Sequence, residues 1–486
     1  MRSSTAPSPG TAADIQSPVP LERLLGGIHV LRAQGVLGAP PVTGVTHDSR
    51  AVGPGALFCC VPGTRTDGHD HAPSAVAAGA VALLCERTLD LPAAQVVVPD
   101  ARIAMAPVAA AFHGEPSRRM AVAGVTGTNG KTTVTYLLRS ILEAAGVPTA
   151  VIGTLTGVHT TPEATELQAR LAAVAAAGTR AVAMEVSSEA LAQHRADATW
   201  FEVVAFTNLS QDHLNFHGTM DDYFAAKASL FEPGRARVAV INEDDTWGRR
   251  LAAITELPVR PFSLADASAV HVDRDGSTFT WRGERVRLAL SGAFNVSNAL
   301  AAATIASELD VDPPTIAAGL GAVTSVPGRF QRVDGGGPVA VVVDYAHTPA
   351  GLEQALAAAR TMAGEGRVLV VFGAGGDRDH AKRPAMGAVA TRLADAAVLT
   401  SDNPRNEDPM AIIEEVRAGA ASEVVVEPDR RAAIALAVGS ARPGDVVVIA
   451  GKGHETAQVF EGGRSVPFDD AAVARDVLAA EKPTTW

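Results

Sequence analysis

The stretch Met120–Glu143, MAVAGVTGTNGKTTVTYLLRSILE, decides the fold of this chain. A short apolar run from Met120 to Val125 enters a loop rich in glycine and threonine at 126–130, which ends in Lys131-Thr132-Thr133. Apolar residues then recur at helical spacing, at Val134, Leu137, Leu138, Ile141 and Leu142. Strand, glycine loop, Lys-Thr and helix in this order are the layout of a phosphate-binding loop.

The loop has the chemistry that a phosphate group requires. Its backbone N–H groups and the helix N-terminus present partial positive charge, and Lys131 adds a full charge. Thr132 can place its hydroxyl on Mg²⁺. The strict G-x-x-x-x-G-K-[ST] pattern has glycine where Val125 stands, so a glycine-rich turn into a structural helix is the alternative interpretation.

Length and composition indicate a folded chain of several domains. At 486 residues the chain is too long for one ordinary core, and about three domains are expected. With 47% apolar and 19% charged residues it is globular, and a net charge of −12 disfavours non-specific nucleic-acid binding. Its three cysteines provide neither a disulfide framework nor the spacing of a metal site.

The composition of the first residues is not that of a targeting segment. Residues 1–20 are rich in Ser, Pro and Ala, so we expect a disordered tail and not a signal peptide. No uncharged apolar run reaches the roughly 18 residues that a membrane span needs. We therefore expect a cytoplasmic protein that is not inserted in a membrane. Separately, we expect a monomer.

A repeated strand–loop–helix rhythm predicts an α/β fold with open, mostly parallel sheets covered by helices. We divide the chain into a first α/β domain at 21–118, a central domain at 119–328 and a C-terminal domain at 329–486. The central sheet is expected to resemble P-loop ATPases and the last one a Rossmann sheet. Ligands on such sheets gather at the carboxyl ends of the strands.

Polar clusters follow many of the predicted strands. Two are in the central domain and four are in the C-terminal domain, at 184–188, 207–215, 344–347, 377–378, 402–405 and 451–455. Four clusters on one sheet edge favour a substrate-binding rim. By spacing alone, Ser49 has a capping or surface role, and Lys227, among alanines in a predicted helix, is a solvated lysine.

The motifs, in their order and spacing, resemble those of the Mur ligases. The resemblance covers nearly the whole chain from about residue 40 and rests on GVTGTNGKTT, TTPEA, MEVSS, NLSQDHLNFHGTM, AAK, FNVSNALAA, PGRFQRV, DYAHTP, GDRD, DNPRNEDP and AGKGHE. It implies a three-domain ATP-dependent ligase of peptidoglycan precursor synthesis, of the kind that adds meso-diaminopimelate to UDP-MurNAc-L-Ala-D-Glu. ATP would phosphorylate the γ-carboxylate of D-glutamate, and the amine of the incoming amino acid would displace phosphate from the acyl phosphate.

The resemblance assigns residues to ATP and to Mg²⁺. The phosphates and the nucleoside would be bound by Gly127, Thr128, Asn129, Gly130, Lys131, Thr132, Asn295, Arg329 and Asp344. One Mg²⁺ would lie at Thr132 and Glu185, and a second at His213 and Lys227. Lys227 would be carbamylated, because a carbamate is an anionic oxygen ligand and an ammonium repels the cation. The catalytic residues implied are Lys131, Glu185, His213 and Lys227.

The resemblance also assigns the two other substrates. UDP-MurNAc-dipeptide would contact the first domain, which would bind the UDP-sugar, and a strand end of the central domain. The residues implied are Ser49, Thr160, Thr161, Ser187, Gln193 and Arg195. Diaminopimelate would contact Arg378, Asp402, Asn403, Pro404, Arg405, Gly451 and Glu455. Arg405 can hold the far carboxylate bidentately, which lysine lacks, so diaminopimelate is expected over lysine.

Three departures from the family pattern leave alternatives open. The connection at 153–160 is short, Glu189 stands where the family usually has histidine, and Asn215 stands where aspartate is common. The alternative enzyme is a Mur-type ligase that adds L-lysine or uses a modified acceptor. The alternative from another class is a non-catalytic nucleotide-gated switch, which needs the phosphate loop but not the amino-acid rim.

Overall fold

The glycine loop joins a buried strand to a long helix in the computed structural model, which describes residues 17–63, 66–333 and 338–480. The strand is Ala121–Thr126, and the helix begins at Lys131 and ends at Ala144. The five apolar residues predicted to share one face of this helix are all buried. The predicted strand–loop–helix order is therefore confirmed, whereas most of the predicted tail, residues 1–16, lies outside the described residues.

The first part of the chain forms a small sheet covered by helices. Its helices and strands are α1 (Leu21–Leu24), β1 (Arg32–Gln34), β2 (Gly44–Thr46), β3 (Ala56–Cys59), α2 (Ala72–Ala77), β4 (Ala82–Cys85), β5 (Ala94–Val97) and α3 (Ala101–Phe112). The strand order is β1-β5-β4-β3-β2, and only β1 runs antiparallel to its neighbour. The three cysteines, Cys59, Cys60 and Cys85, are buried thiols in this core.

The central part contains the glycine loop. Its elements are β6 (Ala121–Thr126), α4 (Lys131–Ala144), β7 (Thr149–Ile152), α5 (Ala164–Ala176), β8 (Ala181–Glu185), α6 (Ser188–Ala192), β9 (Phe201–Phe206), α7 (Leu214–His217), α8 (Met220–Ala228), β10 (Ala236–Asn242), α9 (Thr246–Ile254), β11 (Val259–Phe262), β12 (Ala267–Asp273), β13 (Gly276–Trp281), β14 (Glu284–Leu288), α10 (Ala293–Glu308) and α11 (Pro313–Ala322). Six strands form one sheet in the order β11-β10-β9-β6-β8-β7, with every neighbouring pair parallel. The loops after β6, β8 and β9 consequently leave the same edge. A separate antiparallel sheet, β12-β13-β14, follows.

The C-terminal part is a second parallel sheet. Its elements are β15 (Gln331–Val333), β16 (Ala340–Asp344), α12 (Pro349–Ala363), β17 (Val368–Phe372), α13 (Lys382–Leu393), β18 (Ala396–Leu399), α14 (Pro409–Arg417), β19 (Val425–Val426), α15 (Arg430–Gly439), β20 (Val446–Ala450), β21 (Ala457–Val459), β22 (Ser465–Pro467) and α16 (Asp470–Ala480). The order is β15-β16-β20-β17-β18-β19, and only β15 is antiparallel. The four polar clusters predicted for this domain follow β16, β17, β18 and β20, which end at one edge.

The chain folds into two compact units. One unit comprises the residues up to Met120 together with Pro162–Gly178 and Ala192–Thr199, and the other comprises Ala121–Thr161, Thr179–Leu191 and the chain from Trp200 onward. The helix α5, which the predicted boundaries place in the central domain, packs against α3 of the first unit. The central and C-terminal sheets belong to the same unit, and the domain boundaries at 118 and 328 stay a prediction. Within the described ranges, no helix combines the length and the apolar character needed to cross a membrane.

A buried ion pair joins the last two helices. Arg430 opens α15 and Asp470 opens α16, and neither side chain is exposed to solvent. The guanidinium donates from Nε and Nη2 to the two carboxylate oxygens, at 2.7 Å each, and Nη2 also donates to the Ala450 carbonyl oxygen. Removing one partner would leave the other charge buried and uncompensated, which is the costly case for an ion pair.

We expect Asp470→Ala to lower the free energy of unfolding by about 3–5 kcal/mol, because it leaves the Arg430 charge buried without a partner. Asp476→Ala is the matched control, since Asp476 lies on the same helix and contacts Arg431 at the surface. Urea unfolding followed by circular dichroism measures both variants. Equal unfolding midpoints for the two variants would contradict the role of burial.

Candidate active site

Two lysine side chains converge on the glycine loop. Lys227, from α8, is 1% exposed and donates from Nζ to the Gly127 carbonyl oxygen at 2.9 Å. Lys131 donates to the same oxygen at 2.8 Å and to the Thr128 carbonyl at 2.9 Å. Burial lowers the pKa of Lys131, and burial together with the charge of Lys131 holds the pKa of Lys227 well below its usual range. The interpretation of Lys227 as a solvated lysine is therefore wrong.

The loop is shaped by glycine and held by the end of β9. Gly130 has φ of 89°, and a Cβ there would lie 2.4 Å from Oδ1 of Asn298 on α10, so a larger residue meets both strain and a clash. Thr207 donates from its hydroxyl to the Asn129 carbonyl at 2.6 Å, and Asn208 accepts from the Asn129 N–H at 2.9 Å. The loop is thus pre-formed by contacts from outside it.

A chain of hydrogen bonds crosses from Glu185 to Arg329. Glu185 ends β8 and is 1% exposed, and its Oε2 accepts the Thr132 hydroxyl at 2.9 Å. The Glu185 carboxylate also accepts the Thr154 N–H and hydroxyl. Arg329 donates from Nη2 to the Thr132 hydroxyl oxygen at 2.9 Å and lies over the Tyr345 ring, 4.4 Å from its centroid. The Thr132 hydroxyl and the Glu185 carboxylate therefore lie side by side.

Three cationic or titratable groups lie close to the carboxylate of Asp212. Its carboxylate lies 3.3 Å from His213 Nε2, 3.4 Å from His347 Nε2 and 3.5 Å from Lys382 Nζ. Burial alone would raise the pKa of Asp212, but the hydrogen bond from His347 and the charges of His213 and Lys382 hold that pKa well below its usual range. His347 and Lys382 follow β16 and begin α13, so this contact brings the C-terminal sheet to the loop after β9.

The residues predicted for the two metal sites do not form a complete set of ligands in this structure. Thr132 and Glu185 are in contact, whereas His213 lies between the carboxylates of Asp212 and Glu189, each 3.3 Å away. Among the described residues no group of three or more His, Cys, Asp or Glu side chains is placed to hold a metal ion. The hydroxyl and carboxylate at 132 and 185 fit Mg²⁺, and Lys227 would fit it only as a carbamate.

The residues predicted for UDP-MurNAc-dipeptide are divided between the two units. In one, the Thr161 hydroxyl donates to the Glu185 carbonyl at 2.9 Å and accepts the Ser187 N–H, and Thr160 contacts Thr154. In the other are Ser49, Gln193 and Arg195. Arg195 donates to the Gln193 side chain at 2.6 Å and pairs with Glu163 at 2.8 Å. Ser49 opens a short 3₁₀ helix whose capping side chain is Asp48.

A cavity of about 440 Å³ lies beside the glycine loop. Arg329 and Asp344 line it, and its wall also includes Phe294, Asn298 and Ala358. Burial raises the pKa of Asp344, whose carboxylate accepts the Phe330 N–H. Asn295 lies behind this wall, where its amide donates to the Ser291 carbonyl and accepts from Asn298. The asparagine that reaches the cavity is thus Asn298, one helical turn further along α10.

The predicted amino-acid residues lie together at the edge of the C-terminal sheet. Arg405 donates to the Gly376 carbonyl at 2.6 Å, and burial and the neighbouring charge of Arg378 lower its pKa. Asp402 is buried, and its Oδ2 has no hydrogen-bond partner among the described residues. A Cβ at Gly451 would lie 2.4 Å from that oxygen, so glycine keeps the space in front of it open. Pro404 follows Asn403, whose amide donates to Glu455 at 2.7 Å.

Arg383 holds two loops of this rim together. Its side chain is fully buried and forks onto the Glu407 carboxylate at 2.8 and 2.9 Å, and Nη2 also donates to the Gly375 carbonyl. Glu407 in turn accepts the N–H of Asp377. The loop that carries Arg378 is therefore tied to the loop that carries Arg405.

Sequence reasoning missed Lys382, Arg383 and Asn298 as parts of the site, and it gave Lys452 no role beyond its place in the polar cluster at 451–455. One signal could have found the lysines. Of the 41 Lys and Arg residues only five are lysine, at 131, 227, 382, 452 and 482. Lys227, Lys382 and Lys452 are buried, and Lys131 touches the glycine loop. A chain that uses arginine almost everywhere keeps lysine where a compact point charge is needed.

Family models match most of the chain in three consecutive segments. The description "Mur ligase family, catalytic domain" matches residues 41–118, "Mur ligase middle domain" matches 125–306, and "Mur ligase, glutamate ligase domain" matches 328–453. The three matches follow the order of the sheets described above. The three-domain architecture of the family is thus the one that this chain has.

Two relatives and one solved structure extend the match. UDP-N-acetylmuramoyl-L-alanyl-D-glutamate–2,6-diaminopimelate ligase of Streptomyces coelicolor is 46% identical and covers 91% of this chain and 93% of its own. The enzyme of the same name from Streptomyces avermitilis is 45% identical, over 98% and 99%. A solved structure of a ligase of this name is 32% identical, with a TM-score of 0.68 over 96% of this chain and 100% of that one. The chain belongs to the Mur ligase family.

Proposed function

We propose that this chain is an ATP-dependent ligase that joins meso-2,6-diaminopimelate to the D-glutamate γ-carboxylate of UDP-MurNAc-L-Ala-D-Glu. The observation that carries the proposal is the charged rim at the C-terminal sheet, with Arg378 and Arg405 side by side and the unpartnered Asp402 Oδ2 nearby. A diamino diacid carries both signs of charge, and this rim contains both arginines and carboxylates. The names of the relatives at 45% and 46% identity support the same reaction.

The first step would bring two anions together. The γ-carboxylate attacks the γ-phosphorus of ATP, ADP leaves, and an acyl phosphate forms. Lys131 is placed to turn from the Gly127 and Thr128 carbonyls to the phosphates, and Arg329 from Thr132 to the same group. These cations would offset the repulsion between the reactants and the charge that develops on the transferred phosphoryl group.

Mg²⁺ is the metal that the oxygen ligands favour. Thr132 and Glu185 would hold one ion, and His213 and a carbamylated Lys227 would hold another. Bound there, Mg²⁺ would supply positive charge beside the phosphates. Burial of Lys227 and the charge of Lys131 favour its neutral amine, the form that reacts with carbon dioxide to give N6-carboxylysine. The carbamate would exchange a repelled cation for an anionic oxygen donor.

The second step would take place at the rim. The amine of diaminopimelate attacks the acyl carbon, and the tetrahedral intermediate expels phosphate. Arg405 and Arg378 would bind a carboxylate, and Asp402 and Glu455 would accept from ammonium groups. Lysine lacks the far carboxylate, so it would leave arginine charge unpaired at the rim. Domain closure over the acyl phosphate would exclude water, which otherwise hydrolyses it.

We expect purified protein supplied with ATP, Mg²⁺ and UDP-MurNAc-L-Ala-D-Glu to release phosphate rapidly with meso-diaminopimelate. With L-lysine, kcat/KM should be lower by about 100-fold or more, because a buried polar site is left unpaired. A coupled phosphate assay measures both. A preference for lysine would overturn the specificity. If neither amino acid supports phosphate release with this acceptor, a modified acceptor would be favoured. Glu189 and the short connection at 153–160 lie close in sequence to the residues assigned to the acceptor.

Carbamylation of Lys227 predicts chemical rescue. Lys227→Ala should lose nearly all activity, and a short-chain carboxylate such as propionate should restore part of it by supplying an oxygen ligand in the vacated space. Lys131→Ala is the control, since its lost ammonium cannot be replaced by a carboxylate. Full activity of Lys227→Ala, or equal rescue of the two variants, would contradict the metal role.

A further inference from the structure

Lys452 is a buried lysine to which neither the family resemblance nor the proposed mechanism assigns a role. It follows β20, and its side chain has no exposure to solvent. Its Nζ donates to Oδ1 of Asn403 at 2.9 Å and to Oε2 of Glu455 at 2.8 Å. Asn403 closes a triangle by donating from Nδ2 to the same Glu455 oxygen at 2.7 Å. The charge of Lys452 is thus matched by a carboxylate at the rim.

The triangle treats the two oxygens of Glu455 differently. Among the described residues the hydrogen bonds to this carboxylate end on Oε2, which receives both Lys452 and Asn403. The Glu455 side chain is 30% exposed, in contrast to the fully buried lysine below it. One oxygen is therefore anchored from within the protein, and the other, Oε1, is left for a donor that arrives from solvent.

The anchor is rigid on the protein side. The Val459 N–H also donates to Oδ1 of Asn403, at 3.0 Å, so Asn403 is fixed from a second direction. A buried ammonium gains from such fixed acceptors because water cannot replace them. Lys452 is one of only five lysines in the chain. Its compact ammonium group can donate to two acceptors that lie close together, a geometry that the planar fork of an arginine does not match.

We propose that Lys452 is the positioning residue of the amino-acid site: by anchoring Oε2 of Glu455 it directs Oε1 to the ammonium group of the incoming amino acid. Lys452 acts through Glu455 and does not touch the reacting atoms. The inference rests on the proposed function, because it assigns Glu455 to amino-acid recognition. It predicts that the effect of Lys452 falls on one substrate of three.

Lys452→Met tests the inference, because methionine keeps the length of the side chain and removes its charge. We expect KM for diaminopimelate to rise about 10- to 100-fold, the range for a lost hydrogen bond to a charged group. KM for ATP and for UDP-MurNAc-L-Ala-D-Glu should stay within about twofold. Arg464→Met is the control, since Arg464 is an exposed cation that stacks on Phe460 near the same rim, and all three KM values should be unchanged.

A double-mutant cycle with Glu455→Gln separates positioning from a structural role. If Lys452 acts through Glu455, adding Lys452→Met to Glu455→Gln should change KM for diaminopimelate by less than about twofold. The double variant removes both charges, so it leaves no uncompensated buried ion. Additive effects of the two substitutions would overturn the proposal, as would an equal rise in all three KM values.

Calorimetric titration with diaminopimelate keeps the inference separate from the proposed function. The unmutated protein must first release phosphate with diaminopimelate, which tests the reaction itself. If it binds the amino acid without ligation, the reaction is refuted, and the dissociation constants of the four proteins of the cycle still test Lys452. An unchanged dissociation constant in folded Lys452→Met refutes the positioning role.

Discussion

The carbonyl oxygen of Gly127 accepts hydrogen bonds from two ammonium groups at once, and the rest of the site depends on this arrangement. Burial lowers the pKa of both lysines, and the charge of Lys131 lowers that of Lys227 further. The unfavourable burial of charge is relieved when an anion enters or when one amine gives up its charge. A phosphate group would do the first, and the carbamate proposed at Lys227 would do the second.

The two parallel sheets explain why charges from distant parts of the chain meet here. Parallel strands end at one edge, so each sheet gathers its loops on one side. Arg329 then reaches Thr132, and Lys382 and His347 reach Asp212, from the C-terminal part to the central one. A ligase that brings a carboxylate to the phosphate of ATP needs cations beside both anions, and here cations from both sheets lie in one region.

Much of the fold was predictable because its signals are local. Apolar periodicity located α4, and strand ends located the four polar clusters of the C-terminal sheet. The pairings were not predictable, because Arg383 with Glu407 and Lys452 with Glu455 depend on which side chain turns inward. Residue spacing could not distinguish Asn295 from Asn298, which lie on one helix and differ only in which of them reaches the cavity. The membership of α5 in the first unit likewise arises from tertiary packing.

The scarcity of lysine has a consequence for protein chemistry. Within the ranges that the structure describes, each lysine is buried or lies against the glycine loop, while the surface carries arginine. Reagents that acylate amines therefore find few exposed lysines in the described part of this protein. Within those ranges, random biotinylation or cross-linking through lysine would act first on Lys131 at the glycine loop, so immobilisation should use another reactive group.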